Sequence, residues 1–113
     1  MGNTKIRSFS LRKVLQEVSD VMIEKCRQKK VMFFCSDHMN EDHHMIQDQR
    51  RVKQVLFNYL QNSLEGIDKG YISISVRSCM NLGLKTFRFD ILDSGPGVNE
   101  FMNVNDDMFS TLH

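Results

Sequence analysis

The sequence predicts an α+β domain, and three observations predict it. Apolar residues recur at helical spacing in two stretches, Leu11 to Cys26 and Val52 to Leu64. Two later runs, Tyr71 to Arg77 and Lys85 to Leu92, alternate apolar and polar residues as half-buried strands do. A chain of 113 residues, 41% hydrophobic and 26% charged, has room for one core and is too apolar for disorder.

Phe9 and Ser10 open the first helix, where the Ser10 hydroxyl can accept a first-turn backbone N–H. Leu11, Val14, Leu15, Val18, Val21, Met22 and Cys26 form its stripe, and Lys25, Arg27, Lys29 and Lys30 gather at its C-terminal end, where they complement the helix dipole. Residues 1–8 are read as an N-terminal extension. Val31 to Cys35 is long enough for a strand and too short for a helix. Ser36 to Gln47 is polar and irregular; His38, His43 and His44 with Asp37, Glu41 and Asp42 are metal-capable types, but their spacing matches no strong motif and favours a solvated loop.

Asp48 stands where it can cap the second helix. There Val52, Val55, Leu56, Tyr59, Leu60 and Leu64 form the buried stripe, while Gln54, Asn58 and Asn62 follow one another one turn apart on a flank. That row of amides is either a polar shoulder or a binding wall. Gly66 and the turn residues Asp68, Lys69 and Gly70 end the helix. In the next strand Ile72, Ile74 and Val76 face one side; Ser78 to Leu84 is a hairpin connection; Phe87, Phe89 and Ile91 face inward from the strand after it. That strand runs into DSGPGV, where Gly95 and Gly97 let the backbone turn and be approached closely and Asp93 offers a carboxylate. Residues 99–113 show no convincing period and read as a mobile or loosely packed tail.

A formal net charge of +1 gives no electrostatic case for nucleic acid or an anionic membrane as partner. The basic pieces Arg27 to Lys30 and Arg50 to Lys53 read as solvated helix faces. No apolar run approaches the ~18–20 residues of a membrane span, so no membrane is expected for this segment. The start, MGNTKIRSFS, lacks a hydrophobic signal core, and Ile6 stands where myristoylation favours Ser or Thr. Cys26, Cys35 and Cys79 form no C-x-x-C pair and read as reduced thiols of a cytoplasmic protein.

Taken together, DQRRVKQVLFNYLQNSLEG and DSGPGV resemble the N-box and first glycine box of the sensor histidine kinase ATP-binding domain. That HATPase (GHKL) superfamily also includes type II topoisomerases, heat-shock chaperones of the ninety-kilodalton class and MutL mismatch-repair proteins. Asp48, Arg51, Gln54, Asn58 and Asn62 fall at the N-box positions, and the resemblance spans residues 9–98. It implies a two-layer α/β sandwich, with two helices on one face of a mixed sheet. It implies ATP and Mg²⁺ as ligands, with Asn62 holding the metal, Asn58 lining the phosphate side, Asp93 accepting a hydrogen bond from the adenine amino group, and Gly95 and Gly97 allowing close approach to the base. An amide at Asn58, where the hydrolase branches carry Glu, cannot act as a general base, which fits phosphoryl transfer better than hydrolysis.

The resemblance further implies a two-component signalling kinase that passes the ATP γ-phosphoryl group to a His on another domain, its phosphoacceptor partner. Two departures are plain. Glu65 occupies a position often Lys or Arg, and the sequence contains no second glycine box. The chain is therefore expected to be a partial ATP-binding domain, incomplete at its C-terminus and inactive alone, with residues 99–113 as the start of the ATP lid or a tail. The alternative is a non-catalytic interaction or scaffold domain. A last strand without its usual neighbour would leave an open edge at residues 85–92, so a homodimer through that edge is also expected.

Overall fold

The computed structural model describes residues 5–95, 100–104 and 109–112 of the chain. The elements run β1 (Ile6–Ser10), α1 (Leu11–Lys29), β2 (Met32–Asp37), β3 (His44–Asp48), α2 (Gln49–Glu65), β4 (Tyr71–Asn81), β5 (Leu84–Asp93), β6 (Glu100–Val104) and β7 (Phe109–Leu112). Among the described residues, the strands form a two-stranded sheet, β1-β3, and a five-stranded sheet, β2-β4-β5-β6-β7. The larger sheet is mixed: β2 and β4 are parallel, and the remaining neighbours are antiparallel.

Both helices cover one face of the larger sheet, giving the two-layer α/β sandwich expected. Ile72, Ile74 and Val76 of β4 and Phe87, Phe89 and Ile91 of β5 point into one core with Leu11, Val14, Val18 and Met22 of α1 and Val52, Leu56 and Leu60 of α2. Period-two strands and period-3.6 helices thus present their apolar sets to the same layer.

Side-chain oxygens start both helices as their sequences suggest. Ser10 Oγ accepts from Lys13 N–H at 3.1 Å and donates to Asp42 Oδ1 at 2.6 Å. Asp48 Oδ1 accepts from the backbone N–H groups of Arg50 and Arg51. At the other end of α1, Lys30 takes a left-handed conformation (φ 63°), and its N–H and that of Val31 donate to the carbonyls of Arg27 and Cys26. Burial pushes the Cys26 thiol above its ordinary pKa. No described helix is long and apolar enough to cross a membrane.

The structure corrects five sequence expectations. The N-terminal extension ends in a strand: Phe9 of β1 pairs with Met45 of β3, and both are buried. The solvated loop therefore contains β3, and its His43 is buried, with its ring against Phe87 and Nδ1 at 3.4 Å from Lys85 Nζ. The connection over Ser78 to Leu84 is mostly strand, closed by a tight turn at Leu82 and Gly83, both at positive φ (53° and 78°) as a two-residue hairpin turn requires.

The tail and the open edge are the remaining corrections. Residues 100–104 and 109–112 are strands, and β6 pairs with β5 along Phe87 to Ile91. The edge expected at residues 85–92 is covered over that length, so the case for a homodimer through it falls away. The partner strand comes from the chain's own tail, which local periodicity did not reveal.

Alternate β5 amides point to β4 and to β6. Both sets, Phe87, Phe89 and Ile91 on one hand and Arg88 and Asp90 on the other, should resist hydrogen exchange in an NMR time course. Fast exchange of one alternate set would show an open edge. Phe89, fully buried, should lose about 3–5 kcal/mol on truncation to Ala, read by urea denaturation.

Candidate functional site

Helix α2 presents three surfaces. Val52, Leu56, Leu60 and Leu64 are buried beneath it. One shoulder faces α1: Lys53 pairs with Glu17, Lys25 Nζ reaches Gln61 Oε1 at 3.4 Å, and Lys29 Nζ donates to the Leu64 carbonyl. The row Gln54, Asn58, Asn62, Gly66, spaced by four residues, turns progressively toward the opposite shoulder because 3.6 residues make a turn. Asn58 and Asn62 are exposed, and their side-chain amides make no hydrogen bond among the described residues.

Beside Asn58 lies a groove of about 360 Å³ lined by Arg50, Lys53, Gln54 and Phe57. At the other end of the row, the carbonyl of Gly66 and the side chain of Ile67 lie against Gly95. A Cβ added to Gly95 would stand 2.4 Å from Ile67 Cγ2, 3.0 Å from Asp93 Oδ1 and 3.7 Å from the Gly66 carbonyl. Asp93, half-buried at the end of β5, accepts the Gly95 N–H on Oδ1 at 2.8 Å, a carboxylate-to-backbone bond that closes the turn.

Residues that sequence reasoning passed over fix this junction. Ser94 N–H donates to the Tyr71 carbonyl at 3.1 Å, while the Tyr71 N–H donates to Ser94 Oγ at 2.9 Å. Gly70, at φ +116°, sits so close that an added Cβ would lie 2.0 Å from Ser94 Oγ. The sequence signal was the Asp68-Lys69-Gly70 turn one residue before a strand; its partner was not readable.

The structure thus brings Asp93 and Gly95 together with the C-terminal turn of α2. Asn62 is one turn upstream of that junction and Asn58 two turns upstream. Gly97 lies outside the described residues. Among the described residues no group of three or more His, Cys, Asp or Glu side chains could hold a metal unaided. The exposed Asn62 amide fits a site in which ligand oxygens and waters supply the other positions, as Mg²⁺ prefers.

Glu65 is placed away from this junction. It accepts from Gln61 Nε2 at 3.5 Å and lines a groove between the helices with Lys25, Gln28, Lys29, Gln61 and Leu64. The lysines of α1, not a ligand on the amide shoulder, are its electrostatic surroundings.

No family model matches the chain, and no curated protein matches its sequence. Solved structures do match. A nucleotide-free form of the catalytic domain of histidine kinase ThkA aligns with a TM-score of 0.71 at 28% identity, covering 83% of this chain and 61% of that one. ThkA in complex with the response regulator protein TrrA aligns at 0.69 and 30% identity, covering 82% of this chain and 27% of that one. Full-length ShkA in complex with AMPPNP aligns at 0.73 and 20% identity, over 86% of this chain and 20% of that one; this likeness speaks for the fold alone. The chain spans 61% of the length of the ThkA catalytic domain it matches. The chain has the ATP-binding-domain fold of the histidine kinases.

Gly95→Ala tests the junction. The buried Ile67 has little freedom to yield, so the substitution should destabilise the protein by about 1–3 kcal/mol. Adding Ile67→Ala should bring a smaller loss than the two single changes summed. Full additivity in urea denaturation would show that the two residues do not touch.

Proposed function

With the histidine-kinase fold as frame, we propose that this chain binds a magnesium–adenine nucleotide along the amide shoulder of α2, the base lying toward Asp93 and Gly95. One observation carries the reading: two exposed amides without hydrogen-bond partners among the described residues, Asn58 and Asn62, form a row that ends against the turn closed by Asp93. Residues 9–98 are the unit proposed to do this, with Gly97 as a further site residue.

Each residue has a chemical task. The Asp93 carboxylate accepts from an exocyclic amino group, and the compact Gly95 backbone lets a flat base approach. Asn62 supplies an amide oxygen to Mg²⁺, and Asn58 orients phosphate oxygens one turn away. When bound, the metal neutralises phosphate charge. No side chain of the row is a general base, so the site holds and orients a nucleotide for a nucleophile from elsewhere. In the whole protein, the proposed reaction is phosphoryl transfer to a His on a partner domain, on the cytoplasmic side of the cell and within two-component signalling. Positioning and charge stabilisation dominate such transfers, so this chain alone is proposed to be catalytically silent.

Isothermal titration with Mg-ADP and Mg-ATP tests this. Asp93→Asn should weaken either nucleotide at least tenfold, about 1.4 kcal/mol. Asn62→Ala should weaken binding in Mg²⁺ and change little in EDTA. Glu65→Gln should leave affinity unchanged, because Glu65 faces the lysines of α1. No heat at millimolar nucleotide, with the variants still folded, would sink the proposal and favour a non-catalytic interaction domain.

A further inference from the structure

The amide row of α2 does not stop at Asn58. Counted back by fours, Asn62, Asn58 and Gln54 lead to Arg50, so a guanidinium begins the row whose other end lies against Gly95. Arg50 is about 12 Å from Asn58 along the helix axis. Both nevertheless line one groove, the space of about 360 Å³ that they share with Lys53, Gln54 and Phe57. Phe57, packed against the core, is its apolar wall.

The charged residues that line this groove are of one sign, and no carboxylate lines it. Lys53 is already paired with Glu17 of α1. Arg50 is exposed, and its guanidinium makes no ion pair or hydrogen bond among the described residues. Asp48, the carboxylate nearest to it in the chain, is turned to the backbone, where its Oδ1 accepts from the N–H groups of Arg50 and Arg51. The exposed Gln54 amide likewise has no partner among the described residues. Beyond Lys53, α2 carries no cation, so Arg50 is the unpaired positive charge nearest to the phosphate end of the row.

We propose that this groove receives the terminal phosphate of a nucleoside triphosphate, and that Arg50 thereby sets a preference for triphosphate over diphosphate. The inference rests on the nucleotide reading above. With the base toward Asp93 and the metal at Asn62, each added phosphate extends the ligand past Asn58 toward the N-terminal half of α2. Ligand length therefore decides whether Arg50 is reached. Guanidinium suits the role because it offers phosphate oxygens two parallel N–H donors and stays charged at every working pH. The Gln54 amide adds a neutral donor between Arg50 and Asn58. Arg50 acts here as a positioning and specificity residue: it holds the terminal phosphate and takes part in no bond change.

The test is calorimetric titration of the full chain with Mg-ATP and Mg-ADP, read as the ratio of the two affinities. The unmodified chain should hold Mg-ATP more tightly. Arg50→Gln should weaken Mg-ATP about fivefold or more and leave Mg-ADP nearly unchanged, and Arg50→Glu should weaken Mg-ATP further. Lys13→Gln removes the same charge from the exposed surface of α1, outside the groove, and should leave the ratio as it was. The two readings fail differently. No binding of either nucleotide sinks the nucleotide reading and this inference with it. Binding of Mg-ADP with no preference for Mg-ATP, an equal loss of both nucleotides in Arg50→Gln, a loss of neither, or the same change in Lys13→Gln overturns the role of Arg50 alone.

Discussion

The hydrogen-bonded seam between the exit turn of α2 and the end of β5 is the constraint on which the site depends. Ser94 and Tyr71 exchange bonds through N–H, carbonyl and hydroxyl, and Gly70 passes its carbonyl to the Met32 N–H at 2.9 Å. One turn is thereby tied to three strands at once. Two glycines make the approach possible, Gly70 through its positive φ and both through the missing Cβ. Without this closure α2 would still bury its stripe, but its amide shoulder would have no fixed relation to Asp93.

Helix α2 separates packing from recognition by angle. Its buried stripe answers to the core, and its α1 shoulder is occupied by polar contacts from Glu17, Lys25 and Lys29. Exposed pairs of this kind contribute little stability each. Their effect here is directional: Lys25 holds Gln61 on the side of α1, and Gln61 in turn donates to Glu65. The shoulder left over is the one that carries Asn58 and Asn62.

Much of this was legible in the sequence, for local reasons. Both helices, with caps Ser10 and Asp48, follow from periodicity and short-range hydrogen bonding. The alternation in β4 and β5 gave their inward faces, because each strand has one buried and one open side. What was missed is non-local. β1 and β3 are short and place few apolar residues in the core, so neither announces itself; only their pairing makes them strands. β6 is recognisable only beside β5. The contact of Gly95 with Ile67 joins segments far apart in the chain, and no pattern around either residue encodes it. Glu65 shows the same limit, since spacing gives its distance from Asn62 but not the groove between the helices that it lines.

Ser10 narrows what the start of α1 can tolerate. Serine, threonine, aspartate and asparagine are near-equals as helix caps when the cap only accepts. Here the hydroxyl also donates, to Asp42, and so links the first helix to the segment leading into β3. A carboxylate at position 10 would keep the cap yet confront another carboxylate, and alanine would break both links. The choice of cap is therefore fixed by a residue more than thirty positions away in the chain.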